Sequence, residues 1–447
     1  MIRVRKVVVC AILLLAAAPD PALAQKSMAE FLGRTATPEG QPKTYLEELM
    51  LFSYVENSYV WNLGKSGRGD VNELRFYDHD AGYTFNALEV SVKKDPSERY
   101  RLGYGVVLTA GVDSQKNHSL GIFRDRDDQG PFFRNTEKID LPEAYASYLV
   151  PVGNGLTVKA GKWATLIGYE VYESPKNLNF SRSFLYTIGT PYTYTSLLAT
   201  YPITPWFSVS VGFTNGWDNA DNNNGYLRPI GSFAFTPSDK LSATVSYLFG
   251  PEQNRDQMRG HDINNRWVVD TTIVYTGIDR VTLAVNFDFA GEENEPALVA
   301  VGRRNANSSW GGIAGYVGYD WTKALRTVLR LEYFYDPQGV RSSETVPAGK
   351  NVDLFEVTAT AEYKIWRGLV GRLEFRHDEA NRKAFSLQGN PPTPTSNAQN
   401  TITLALYHSF FWRAGSAGRL ECRQRRTAII AQIASTTPKG QAPCRKT

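Results

Sequence analysis

Apolar and polar residues alternate with period two along most of this chain, most regularly in its second half. Val281, Leu283, Val285, Phe287 and Phe289 interleave with Thr282, Ala284, Asn286 and Asp288, and Leu369, Leu373 and Phe375 interleave with Arg372, Glu374 and Arg376. In an extended strand, neighbouring side chains point to opposite faces, so each segment has one greasy face and one charged face. Sixteen strands are predicted, over residues 51–63, 82–93, 99–110, 142–151, 155–163, 192–202, 205–214, 228–236, 241–250, 266–276, 280–290, 309–321, 325–336, 353–365, 368–378 and 400–411.

The connections between these segments alternate short and long. Seven tight turns, among them Asp95-Pro96-Ser97, Gly153-Asn154-Gly155 and Trp366-Arg367-Gly368, separate eight longer polar loops. Membrane β-barrels sort their hairpin ends in this way, with short turns on the periplasmic side and long loops outside. Sixteen strands also enclose too wide a space for side chains to fill, so the charged face points inward to water and the apolar face to lipid. The expected fold is therefore an all-β transmembrane antiparallel barrel of about sixteen strands, closed so that no backbone edge is left in lipid. Trp206, Trp321 and Trp366 each adjoin a short turn, where an interfacial aromatic girdle would place them.

The chain opens with Arg3, Arg5 and Lys6, a twelve-residue apolar run from Val7 to Ala18, and a small-residue Ala22-Leu23-Ala24 site. That is the pattern of a cleaved signal peptide over 1–24, since a spanning helix needs about twenty apolar residues. It leaves a periplasmic segment at 25–50, the barrel at 51–412, and a basic tail at 413–447. The three cysteines are Cys10, Cys422 and Cys444, so the barrel has no thiol, which suits passage through an oxidising periplasm. The net charge of +4 arises at the ends: 1–24 carry +2 and 413–447 carry +7, which leaves −5 on 25–412. The body gives no basic surface for nucleic acid, and its charge leans slightly toward cations as permeants.

Taking the face opposite the apolar one, the pore-lining candidates are Glu89, Arg101, Lys159, Arg266, Asp270, Asp288, Arg326, Arg330, Glu332, Glu356, Glu362, Arg372, Glu374 and Arg376. Rows of opposite charge would order water across a channel, whereas rings of one sign would select by charge. The loop after the fifth strand, 164–191, is the expected constriction. It carries Tyr169, Glu170, Tyr172, Glu173, Lys176 and Arg182, aromatic and charged groups that suit polar solutes, although the same residues could cap the barrel from outside. The Arg124-Asp125-Arg126-Asp127-Asp128 run and the Asp- and Asn-rich stretch 215–227 do not fit a twelve-residue calcium loop and read as solvated surface.

Enzyme signals are weak. The segment from Gly155 to Lys162 misses phosphate-loop spacing, and His79, His118, His261, His377 and His408 lack metal-ligand spacing. No Gly-x-Ser-x-Gly elbow is present, and neither cofactor nor metal is expected.

Two segments carry a family resemblance. Phe213-Thr214-Asn215-Gly216-Trp217-Asp218-Asn219-Ala220-Asp221-Asn222-Asn223, with Asn177-Leu178-Asn179-Phe180-Ser181-Arg182-Ser183 before it, resembles the OmpL-like β-barrel porin family of Gram-negative bacteria. The resemblance spans most of Tyr45 to Phe411 and implies an outer-membrane barrel acting as a passive pore, with no catalytic residues. A closed barrel working through its loops as adhesin, receptor or anchor is the other reading. Expected partners are outer-membrane lipid and lipopolysaccharide, small hydrophilic solutes, the barrel assembly machinery, and a homotrimer mate against Gly311, Gly312, Ala314, Gly315 and Gly318. The family also implies a final strand ending on an aromatic near Tyr407 to Phe411, so the basic residues after Trp412 stand as an unstructured extension or a partner-binding arm.

Overall fold

A computed structural model describes residues 45–64, 72–75, 77–78, 81–122, 138–254, 263–303, 306–386 and 394–413. The proposed signal peptide, the Arg124 to Asp128 run, and the basic tail beyond Arg413 lie outside them.

Sixteen strands close into one antiparallel barrel, each paired with its sequence neighbours and the first with the last. They are β1 (Met50–Asn62), β2 (Gly82–Lys94), β3 (Leu102–Ala110), β4 (Ile139–Val150), β5 (Leu156–Ala164), β6 (Thr193–Thr204), β7 (Phe207–Thr214), β8 (Arg228–Ser238), β9 (Leu241–Pro251), β10 (Asn265–Tyr275), β11 (Val281–Glu292), β12 (Ser308–Asp320), β13 (Leu325–Asp336), β14 (Val352–Trp366), β15 (Leu369–Ala380) and β16 (Ala398–Arg413). All sixteen predicted segments appear, with ends shifted by a few residues. The seven short turns share one rim with both barrel ends, and the eight long loops share the other. No helix of the described residues is long and apolar enough to cross a membrane; the crossing elements are strands.

The alternation sorts the two faces as expected. On β13, Leu329, Leu331 and Tyr333 are exposed on the outer surface, while Arg330, Glu332 and Phe334 are buried inside. Trp206, Trp321 and Trp366 are all about half exposed beside the short turns, as an interfacial belt requires.

Register shifts interrupt the alternation on several strands, and two of them lie on the β2–β4 wall. Asn86 is an extra residue on β2 opposite β1, and Leu141-Pro142 on β4 face Leu108 alone on β3. A bulge moves every later side chain to the other face, so parity counted from one end of such a strand fails beyond it. Parity also corrects the small-residue patch on β12: Gly312, Ala314 and Gly318 sit on the lumen side, and only Gly311 and Gly315 share the outward face with exposed Ile313 and Val317.

Candidate functional site

The lumen is crossed by the β5–β6 connection, residues 165–192, most of which is buried. It leaves the wall at β5 and docks on β13, β14 and β15, six to eight strands away by the shorter way around a ring of sixteen, on the opposite side. Chain with no ladder partner must find other acceptors and donors for its peptide groups, and here the wall supplies them.

Wall carboxylates take the loop's N–H groups. Glu374 accepts from Phe180 at 2.7 Å and Ser181 at 3.0 Å, and Glu332 accepts from Phe184 at 2.7 Å and Leu185 at 2.6 Å. Wall arginines take its carbonyls. Arg330 donates to Ser181 at 2.6 Å, Arg372 to Ser174 at 3.0 Å and Asn177 at 2.8 Å, and Arg376 to Arg182 at 2.6 Å. Trp310 and Arg341 close the carbonyls of Gly189 and Ile188 at the end of a single helical turn, Leu185–Gly189.

The strand register makes this ladder. Glu332, Glu356 and Asp378 form one cross-strand row, and Arg330, Thr358 and Arg376 form the next. Like charges side by side repel, so the arginine row must neutralise the acidic one. Arg330 Nε reaches Glu356 at 2.8 Å while its fork also holds Glu170 of the loop at 2.7 Å, and Arg376 Nε reaches Asp378 at 2.6 Å. These groups are essentially inaccessible to water, and charge-assisted hydrogen bonds of this kind are the stronger sort.

The loop is packed as well as bonded. Phe184, Leu185 and Ile188 join Trp310, Phe334 and Leu354 in one buried apolar cluster. Its return end is fastened by Asp218, whose Oδ1 accepts the N–H groups of Tyr192 at 2.7 Å and Thr193 at 2.9 Å. Asp218 follows Gly216, whose φ of +128° and near contact with Glu252 suit glycine. Trp217 in turn donates its N–H to Glu252 at 2.9 Å, and burial pushes that carboxyl up to about 7. The two segments that carry the family resemblance thus serve one feature: 177–183 is the docking stretch and 215–218 anchors the loop's root.

On the β10–β11 wall, Asp270 and Asp288 face each other in register, bridged by Asn286 Nδ2, while Asn286 Oδ1 accepts the N–H of Tyr169 at 3.0 Å. Arg266 pairs with Glu292 at 2.5 Å, and Arg326 with Asp320 at 2.9 Å. Glu362 pairs with Arg372 at 2.9 Å. On the β2–β5 wall, Glu89 is wholly buried and Lys159 lies over Tyr145 and Trp163. Within the loop, Tyr172 donates to Glu143 of β4 at 3.1 Å, Lys176 pairs with Glu173, and Arg182 stacks on Tyr77 at 4.2 Å.

One candidate departs from the expectation. Arg101 precedes β3 in the periplasmic turn, where its carbonyl accepts from Leu149, so it is not a strand residue of the wall. Inward Glu56, Lys93, Glu143, Asn286, Trp310 and Thr360 were missed. Lys93 shares the parity of Glu89 with no bulge between them, Glu143 lies on a strand with a tyrosine on each face, and Trp310 and Thr360 carry no charge to mark them.

A closed sixteen-strand barrel with an inward-folded loop after the fifth strand is the architecture of outer-membrane porins. The model of the family described as "Putative beta-barrel porin-2, OmpL-like" matches residues 49–410, and the chain belongs to that family. It is an outer-membrane porin. Among solved structures, the fold is similar to OmpF of Salmonella typhi in complex with daunomycin, with a TM-score of 0.53 at 13% identity, covering 83% of this chain and 100% of that one. It is also similar to the outer membrane channel DcaP of Acinetobacter baumannii (TM-score 0.52, 12% identity, covering 81% and 97%). OprB of Pseudomonas putida gives a TM-score of 0.50 at 14% identity, covering 81% and 94%. A search of curated proteins finds no match.

Proposed function

We propose that this porin is a passive diffusion channel for small hydrophilic solutes whose free cross-section is set by the β5–β6 loop. The observation that carries the reading is the docking of 174–189 on the far wall through Glu332, Glu374, Arg330 and Arg372. A bridge held at both roots and in the middle divides the lumen, and solutes pass beside it down their own concentration gradient. Tyr169, Glu170, Tyr172, Glu173, Lys176 and Arg182 are then constriction residues, some fastening the bridge and others facing the passage.

The outer face rests in lipid and lipopolysaccharide, and insertion falls to the barrel assembly machinery. Assembly as a homotrimer belongs to the same proposal. It is supported by Gly315, where an added Cβ would meet open space, so a neighbouring barrel's side chain has room to approach β12.

The test is single-channel conductance of refolded 25–412 against a deletion of Glu170 to Asn179. The deletion is expected to raise conductance several-fold. Equal conductance would sink the constriction, and silence from both folded proteins would favour a closed barrel acting through its loops.

A further inference from the structure

The loop's backbone docks on β13–β15, whereas the β2–β5 wall meets it through a side chain, Tyr172 on Glu143, and keeps partly exposed lysines, so the passage is taken to run along that wall. We infer that this passage contains an anion station built from Lys93, Lys159 and Lys176, and that the porin favours small solutes bearing a carboxylate or phosphate. The inference rests on the channel reading above and specifies its solute.

Lys93 projects from β2, Lys159 from β5, and Lys176 from the loop, its Nζ 5.5 Å from the centre of the Phe52 ring on β1. Lys93 Nζ lies 2.7 Å from Glu143 of β4, and Tyr145, two residues further along the same face of β4, carries the Lys159 ammonium at 3.8 Å; Phe52, under Lys176, pairs in register with Ser91, two residues before Lys93, so the three lysines share one stretch of wall. Three carboxylates share the neighbourhood, so the formal charges balance. What differs is which groups touch water. The Lys93 side chain is 23% exposed against 6% for its partner Glu143, and Lys176 is 33% exposed against 3% for Glu173. Glu89 is fully buried. A permeating ion meets the groups that reach the aqueous passage, and rings of lysine are the recurrent means of selecting anions and phosphates.

Lys159 adds an independent observation. Among the described residues no carboxylate lies at ion-pair distance from it; its Nζ instead sits 3.8 Å from the centre of the Tyr145 ring and 4.7 Å from that of Trp163. An aromatic face holds an ammonium group without consuming its three N–H donors, which remain for a solute oxygen. The wall is shaped for this platform: a Cβ on Gly105 would come within 2.5 Å of the Tyr145 ring, so glycine there lets the ring lie against the barrel. The β13–β15 arginines cannot serve in the same way, since they are shut off from water and loop carbonyls and carboxylates take most of their donors. The lean toward cations drawn from the net charge of 25–412 is thereby reversed at the point where selection is made.

The experiment is the reversal potential of refolded 25–412 in planar bilayers under a potassium chloride gradient, followed by inorganic phosphate at fixed chloride. Wild type should reverse on the chloride side, and phosphate should depress its chloride current. Lys93→Gln/Lys159→Gln/Lys176→Gln should move the reversal to the potassium side and abolish the phosphate effect, while three Lys→Arg changes should retain both. Lys176→Gln alone, which leaves the wall intact, should give a partial shift in the same direction. A conducting wild type that prefers potassium, or a folded triple variant with unchanged reversal, overturns the station and leaves the porin standing. A silent folded wild type overturns both.

Discussion

The β13–β15 wall and the β2–β5 wall face each other across one lumen, and both present basic and acidic side chains inward, yet they are in different physical states. On the first, Arg330, Arg376, Glu356 and Glu374 are dry, each committed to the loop or to a neighbour. On the second, Lys93 and Lys159 retain access to water. An inward charge is therefore not equivalent to a charge that a solute can use. One wall spends its charges on holding a bridge; the other leaves them to the channel.

The contrast breaks most severely at Arg330. Arg330→Met strands Glu356 and Glu170 in a dry site, and removing one partner of a buried pair costs about 3–5 kcal/mol. The loop should come off the wall, conductance should rise several-fold, and recordings should become noisy. The matched change Lys93→Met on the wet wall should cost less, because Lys93 is partly exposed and Tyr172 still donates to Glu143. Comparable losses from both, read by thermal melting in detergent, would erase the distinction between the walls.

A smaller effect is expected at the loop's root. Asp218→Ala leaves two backbone N–H groups without their acceptor, a penalty of about 1–3 kcal/mol. The Tyr192 and Thr193 amides should exchange hydrogen faster while those of β10 and β11 keep their rates. The smallest effect lies above the barrel, where Glu344 accepts the Leu74 N–H at 3.1 Å. Burial raises its carboxyl from 4.5 to about 7, more than that hydrogen bond lowers it. The folded state then holds the proton more tightly than the unfolded one, so the stability linked to this group is fully present below pH 4.5 and is lost as pH rises through about 7, because ionising a buried carboxyl costs more than its hydrogen bond returns. Glu344→Gln should flatten that slope in melting temperature, and an unchanged slope would assign it elsewhere.

Much of the barrel was legible because its physics is periodic. A lipid-facing strand must alternate, and a closed ring must return its ends to one rim, so strand number, faces and loop sorting follow from the spacing of residues such as Val281 to Phe289. The bridge was legible only as a position after the fifth strand. Where it docks depends on Glu332, Glu356 and Arg330 meeting in cross-strand register, and on Asn179 finding Thr360 nearly two hundred residues away. No periodicity reports contacts of that range. Lys93 was legible, since it shares the parity of Glu89 on β2, whereas Glu143 was not, because Tyr145 and Tyr148 on opposite faces of β4 blur which face is apolar.

The docking itself can be tested with two cysteines. Asn179 Nδ2 lies 2.7 Å from Thr360 Oγ1, and residues 25–412 contain no cysteine to compete. In refolded 25–412 carrying Asn179→Cys and Thr360→Cys, mild oxidation should close a disulfide across the lumen in nearly every folded molecule, read as a shift in gel mobility that reductant reverses. A folded barrel in which the pair stays unlinked would contradict a loop that spans the lumen.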